Sequence, residues 1–214
     1  LMREYAARAG IIVVGIDYSL SPEAKFPAAL DEVYAAVAWM RQQGGAHGID
    51  PDRIAIGGDS AGANLSVATC LVMRDRADRP LAGMVLNYGA YGLEHLPSYG
   101  RFDGPEFTLG VEEMDWFWDS YLRSDEDRTN PLVAPIGADL SGLPPAFMAV
   151  AEYDILADVN YQMAKNFAHY GVATQLEIYP RATHSFLEAM SVSAIANQAI
   201  SDAASWLSTT LTSD

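Results

Sequence analysis

Short apolar runs alternate along this chain with stretches of helical period, and this restricts the fold more than any other property of the sequence. The runs are "IIVVGID" (11–17), "RIAIGG" (53–58), "AGMVLNY" (82–88), "PAFMAVA" (145–151) and "TQLEIYP" (174–180). Each has the length of a strand, and the first, rich in β-branched residues, reads as buried on both faces. Between them, residues 27–43 carry Leu30, Val33, Tyr34, Val37 and Met40 at helical spacing, with Pro27 suited to the first turn and Gly44 and Gly45 to the end. Residues 61–76, 158–170 and 191–211 read as further helices. The opening "LMREYAARAG" reads as a helix as well, with Met2, Tyr5, Ala6 and Ala9 on one face and Gly10 as C-cap. Strands alternating with helices predict βαβ crossovers and an α/β fold, a mostly parallel sheet flanked by helices.

One segment breaks the rhythm. Residues 89–142 contain no strand pattern, many turn residues ("LPSYGRFDGPE") and one helix bearing Trp116, Phe117, Trp118 and Tyr121. A connection of this length within a compact sheet is expected to be functional. It predicts a cap or lid, 89–142, inserted into a core made of 1–88 and 143–214. The aromatics of its helix are expected to pack, with the lining of an acyl pocket as the alternative.

The sharpest local pattern is "GGDSAGANLS" (57–66), in which Gly58, Asp59, Ser60, Ala61 and Gly62 fit G-x-S-x-G. Strand, tight turn and apolar helix follow one another here, as a nucleophile elbow requires, and flanking glycines make room for the turn. Ser60 is thereby expected at the carboxyl edge of the sheet, and the Ala61 N–H at the start of the helix to bind a developing oxyanion. A serine hydroxyl needs a base. Of four histidines, His47 precedes a strand, His95 falls in the cap and His169 sits near a helix C-terminus, where the dipole favours a cationic ring. His184, in "PRATHSFLE" after the last strand, lies at the same edge as Ser60. Asp154 follows the strand 145–151 and is the expected orienting carboxylate; Asp158 suits a helix start, and Glu152 is a rival only by proximity. The chain order Ser60, Asp154, His184 is that of the α/β-hydrolases.

Composition narrows the partners. The 214 residues suffice for one sizeable core, and half of them are hydrophobic. A formal net charge of −15, from 13 Lys+Arg against 28 Asp+Glu, argues against nucleic acid or anionic membrane as a partner. A single cysteine, Cys70, excludes an intrachain disulfide and fits a cytoplasmic setting. No apolar run has the length of a membrane span, and no secretion signal opens the sequence.

Several motifs together resemble the hormone-sensitive-lipase-like family of bacterial carboxylesterases (family IV) in the α/β-hydrolase superfamily. "DYSLSPE" (17–23) is similar to the family's D-Y-R-L-A-P-E, "FPAALDE" (26–32) to F-P-A-A-x-x-D, "GDSAG" to its elbow. "GLPPAFMAVAEYDILAD" (142–158) is similar to L-P-P-A…D-x-L-x-D, and "THSF" (183–186) to H-G-F. The resemblance implies hydrolysis of small-molecule esters of short to medium acyl chains through an acyl-enzyme, with no metal and no cofactor. Ser19 stands where the family has Arg, Ser21 where it has Ala and Ser185 where it has Gly. The Arg loss puts in question an ion pair with an acidic neighbour.

The family's H-G-G-G run, whose amides complete the oxyanion hole, does not occur in the sequence. In the resembled fold its strand lies between the runs 11–17 and 53–58. The expectation is therefore a sheet lacking its N-terminal strands, completed by a further segment of a longer protein or by a strand of a second copy. Loss of one oxyanion donor lowers rates by about 10²- to 10³-fold. Two other readings remain at this level: a peptidase of the same superfamily, which usually brings a further large domain, and a ligand-binding protein on the same scaffold. Gibberellin receptors represent the latter and have lost the histidine that His184 matches. The triplet Asn64-Leu65-Ser66 fits a glycosylation site but falls on the helix behind the serine.

Overall fold

The structure is a computed structural model and describes residues 1–212. Four strands, β1 (Ala55–Asp59), β2 (Gly83–Asn87), β3 (Ala146–Tyr153) and β4 (Thr174–Thr183), form one sheet in the order β1-β2-β3-β4, every neighbouring pair parallel. Helices α1 (Met2–Ala9), α2 (Ala28–Gln43), α3 (Ala61–Asp75), α6 (Ala157–His169) and α7 (Ala194–Thr212) pack around it, and α4 (Pro97–Arg101) and α5 (Val111–Tyr121) belong to the long β2–β3 connection.

The strands are apolar throughout because both faces are covered. Met84, Leu86, Ala146 and Met148 point into one core with α2, α3, α6 and the β2–β3 connection, while Val85, Phe147, Ala149 and Ala151 enter a second core against α7. Alternate residues thus reach opposite layers, the period of a pleated strand. The face of α7 toward the sheet is largely alanine (Ala196, Ala199, Ala203), so the helix lies close.

One expected strand is not formed. Residues 11–17 join no ladder, and Ile12 and Val14 are 58% and 44% exposed. A slot of about 910 Å³ separates them from β1, lined by Ile11, Val13, Ile16, Ile54, Ile56 and Leu65 among others. Strands pair only when about 4.8 Å apart, and the slot holds the two segments beyond that reach. β1 consequently pairs on one side only among the described residues. The other four runs form strands with small shifts at their ends, and β4 continues three residues past the expected boundary to Thr183, next to His184.

The connection 88–145 contains no strand, as its composition predicts. Its helix α5 is divided: Trp118 is buried and Tyr121 packs edge-on against Phe26 with centroids 5.9 Å apart, whereas Trp116 and Phe117 face outward. Asp158, in the first turn of α6, anchors this connection. Its carboxylate accepts from the Ser98 amide at 2.8 Å and pairs with Arg101 at 2.8 Å. At the first departure from the family pattern, Ser19 donates to Glu32 through its amide at 2.6 Å and its hydroxyl at 2.7 Å, a neutral donor pair where the family motif has Arg.

Candidate active site

Ser60 occupies the turn between β1 and α3 with φ 55 and ψ −111, a conformation rare for a residue with a side chain. Gly58 makes the turn possible. A Cβ there would lie 2.5 Å from the Gly62 carbonyl carbon, with backbone that has no room to give. Gly62 differs from expectation: a Cβ on it meets nothing within 4 Å, because it borders the slot. The turn is fixed by the Ser60 amide donating to Asn87 O at 2.9 Å, which joins it to the end of β2.

The three residues singled out in the sequence come together. His184 Nε2 lies 3.0 Å from Ser60 Oγ, and His184 Nδ1 lies 2.7 Å from Asp154 Oδ2. Asp154 is 2% and His184 7% exposed. The other Asp154 oxygen accepts the Leu156 amide at 2.9 Å, so both its oxygens are engaged. With a carboxylate at Nδ1, that nitrogen carries the proton and donates, leaving Nε2 to accept from the serine hydroxyl. The residue after the histidine, Ser185, has φ 59, a left-handed conformation that glycine adopts without steric cost and serine does not. Ala61 begins α3, and its amide has no carbonyl one turn back within the helix.

The rival groups go elsewhere. Glu152 accepts the Arg181 amide at 2.7 Å, His95 lies 2.7 Å from Asp115, His47 packs on Trp39 and His169 on Tyr170. Asn64 is buried and donates to the carbonyls of Ala90 and Val133 at 2.7 and 2.8 Å, tying the β2–β3 connection to α3; its triplet is structural. Burial pushes the Cys70 thiol up to about 12.

Sequence reasoning missed the residues that hold the site's walls. Asn160 of α6 is 1% exposed and brackets Gly89, accepting its amide at 3.0 Å and donating to its carbonyl at 2.9 Å. Tyr88 packs against His184, centroids 5.0 Å apart. The available signal was an asparagine on an otherwise apolar helix face, which buried surroundings tolerate only when it is hydrogen-bonded.

A parallel sheet covered by helices on both faces, with a serine at a strained strand-to-helix turn above its carboxyl edge, is the architecture of the α/β-hydrolases. The chain belongs to the alpha/beta hydrolase fold family, whose profile matches residues 1–188, and its motifs put it in the hormone-sensitive-lipase-like branch. An acetyl esterase of Salmonella dublin is 36% identical over 207 residues, and one of Salmonella typhi 35%. Each alignment covers 95% of this chain and 64% of the relative, so the chain spans about 64% of the length of these curated relatives. Among solved structures, an esterase of Pyrobaculum calidifontis superposes with TM-score 0.95 at 34% identity, covering 99% of this chain and 70% of that one. A thermostable carboxylesterase cloned from a metagenomic library gives TM-score 0.96 at 31% identity, with coverages of 99% and 73%.

Proposed function

We propose that the protein is a serine carboxylesterase acting on small esters of short to medium acyl chains. The observation that carries this reading is the continuous hydrogen-bonded series from Ser60 Oγ through His184 to Asp154, at 3.0 and 2.7 Å. Relatives named acetyl esterase support the same class of substrate.

Ser60 Oγ attacks the ester carbonyl carbon as His184 Nε2 takes its proton. Asp154 fixes the Nδ1–H tautomer and stabilises the imidazolium. The Ala61 amide, at the positive end of α3, donates to the oxyanion. Collapse expels the alcohol, protonated by His184, and leaves Ser60 acylated. Water then repeats the sequence and releases the acid. The connection 89–142 serves in this reading as the cap over the acyl site.

The test is hydrolysis of p-nitrophenyl acetate and butyrate with Ser60→Ala beside the unaltered chain. The expected result is loss of at least about 10³-fold in kcat, as for removal of a triad member. A fluorophosphonate should add to Ser60 stoichiometrically by mass. Equal turnover in the variant would sink the proposal.

A further inference from the structure

Asp154 stands in a short loop between β3, which ends at Tyr153, and α6, which begins at Ala157. Inside the loop the Asp154 carbonyl accepts the Ala157 amide at 3.0 Å, and one carboxylate oxygen accepts the Leu156 amide at 2.9 Å. These bonds give the loop its shape. Its placement over the sheet edge depends on contacts from outside, and the short helix α4 of the β2–β3 connection supplies them.

Ser98 of α4 is fully buried, and its hydroxyl donates to the carbonyl of Ile155, the residue after Asp154, at 2.5 Å. The Ser98 amide donates to Asp158 Oδ2 at 2.8 Å, and the Asp158 amide donates back to Ser98 Oγ at 3.4 Å. Both amides belong to the first turn of a helix, where no carbonyl of the same helix can accept them. The starts of α4 and α6 therefore satisfy each other, with the Ser98 hydroxyl used as donor and acceptor at once. Arg101 closes the clasp from outside, 2.8 and 3.0 Å from the two Asp158 oxygens. One residue on, Phe102 stacks on Tyr153, the residue before Asp154, with centroids 5.3 Å apart at 21°. Tyr153 in turn pairs across the sheet with Thr183, the residue before His184, and the Thr183 hydroxyl lies 3.1 Å from that of Thr108 in the same connection. The loop is thus gripped on either side of Asp154 by one segment of the connection.

We propose that Ser98 and Asp158 are positioning residues for Asp154: by clasping the two helix starts they hold the loop where its carboxylate meets His184. The inference rests on the esterase reading, in which Asp154 orients His184 for each proton transfer. It gives the connection 89–142 a second task, since the part that covers the acyl site also sets the acid member of the triad. Asp154 Oδ2 reaches His184 Nδ1 at 2.7 Å with both residues buried, so the contact depends on where the loop is held. The Arg101 side chain is 53% exposed, and an ion pair so open to water contributes little. The buried bonds of Ser98 carry the effect.

Ser98→Ala, Asp158→Ala and Asp158→Asn in the full chain test this, each compared with the unaltered chain for kcat and KM on p-nitrophenyl acetate and for thermal unfolding. NMR reads the His184 Nδ1 proton, which a carboxylate partner moves far downfield. Ser98→Ala and Asp158→Ala should lower kcat by about ten- to hundredfold with KM little changed, the scale of a misplacement of about 1 Å. The downfield proton should weaken or vanish in both. Asp158→Asn keeps an oxygen for the Ser98 amide and gives up only the charge, so it should stay within about fivefold of the unaltered chain, the span of an exposed ion pair. If Asp158→Ala does not fold, Ser98→Ala carries the same expectation. A raised KM at unchanged kcat would make α4 a wall of the acyl site only and overturns the proposal. A folded Ser98→Ala that melts earlier yet keeps both its kcat and the downfield proton overturns it as well. A chain whose proton signal responds as expected but which hydrolyses no ester counts against the esterase reading alone.

Discussion

Gly58 and Gly62 look equivalent in the G-x-S-x-G pattern, yet only one of them is sterically required. A methyl group on Gly58 would meet the Gly62 backbone at 2.5–2.7 Å, whereas one on Gly62 meets nothing within 4 Å. Gly58→Ala should therefore cost about 1–3 kcal/mol, as overpacking does, and displace Ser60. Gly62→Ala should leave the urea midpoint nearly unchanged. Equal midpoints for the two variants would contradict this account of the turn. Ser185 shows the reverse substitution, a serine at a left-handed position where the family has glycine. It is accommodated because φ 59 lies in the small region that residues with a side chain can still occupy.

Between elements, two buried asparagines tie irregular backbone to a helix. Asn64 of α3 ties down Ala90 and Val133, and Asn160 of α6 holds Gly89. Asn160→Leu should leave the buried Gly89 amide without its acceptor, a cost of about 1–3 kcal/mol. Tyr88, freed from its positive φ of 38, should then relax away from His184. Thermal unfolding and intrinsic fluorescence of the variant would read both effects, and unchanged melting would remove the clamp from the argument. Such clamps are hard to see in sequence because an asparagine's partners lie 26 to 71 residues away. The strands and helices themselves were legible, since their periods are local. The run 11–17 has the residues of a strand but forms no ladder, because a strand also needs a neighbour within hydrogen-bonding reach, and the slot beside β1 falls where the strand carrying H-G-G-G was expected.

For the molecule as a whole, an acidic surface sets the response to pH. Four carboxyls are held below their ordinary range: Glu32 by the Ser19 amide and hydroxyl, Asp50 by the Asp52 amide and Arg53, Asp139 by the Ser141 hydroxyl and amide. The fourth, Asp127, is brought down to about 2 by hydrogen bonds from Arg123. A depressed folded value means that the unfolded chain takes up protons first, so these contributions are present above about pH 4 and fade as pH falls toward 2. Asp59 acts in the opposite sense, since its raised value favours folding below its ordinary range and that gain is lost as pH rises. Four groups against one predict a falling urea midpoint between pH 4 and pH 2, and a flat one would refute the balance.

By itself the sequence determined the alternation of strands and helices, the elbow around Ser60 and the identity of its partners His184 and Asp154. These are matters of local period, of turn sterics and of position after a strand, all carried by consecutive residues. Only the tertiary structure decided that 11–17 joins no ladder, that Gly62 has room to spare, and that Tyr88 packs on the imidazole. Those depend on distances between segments far apart in the chain, and no local pattern encodes a distance.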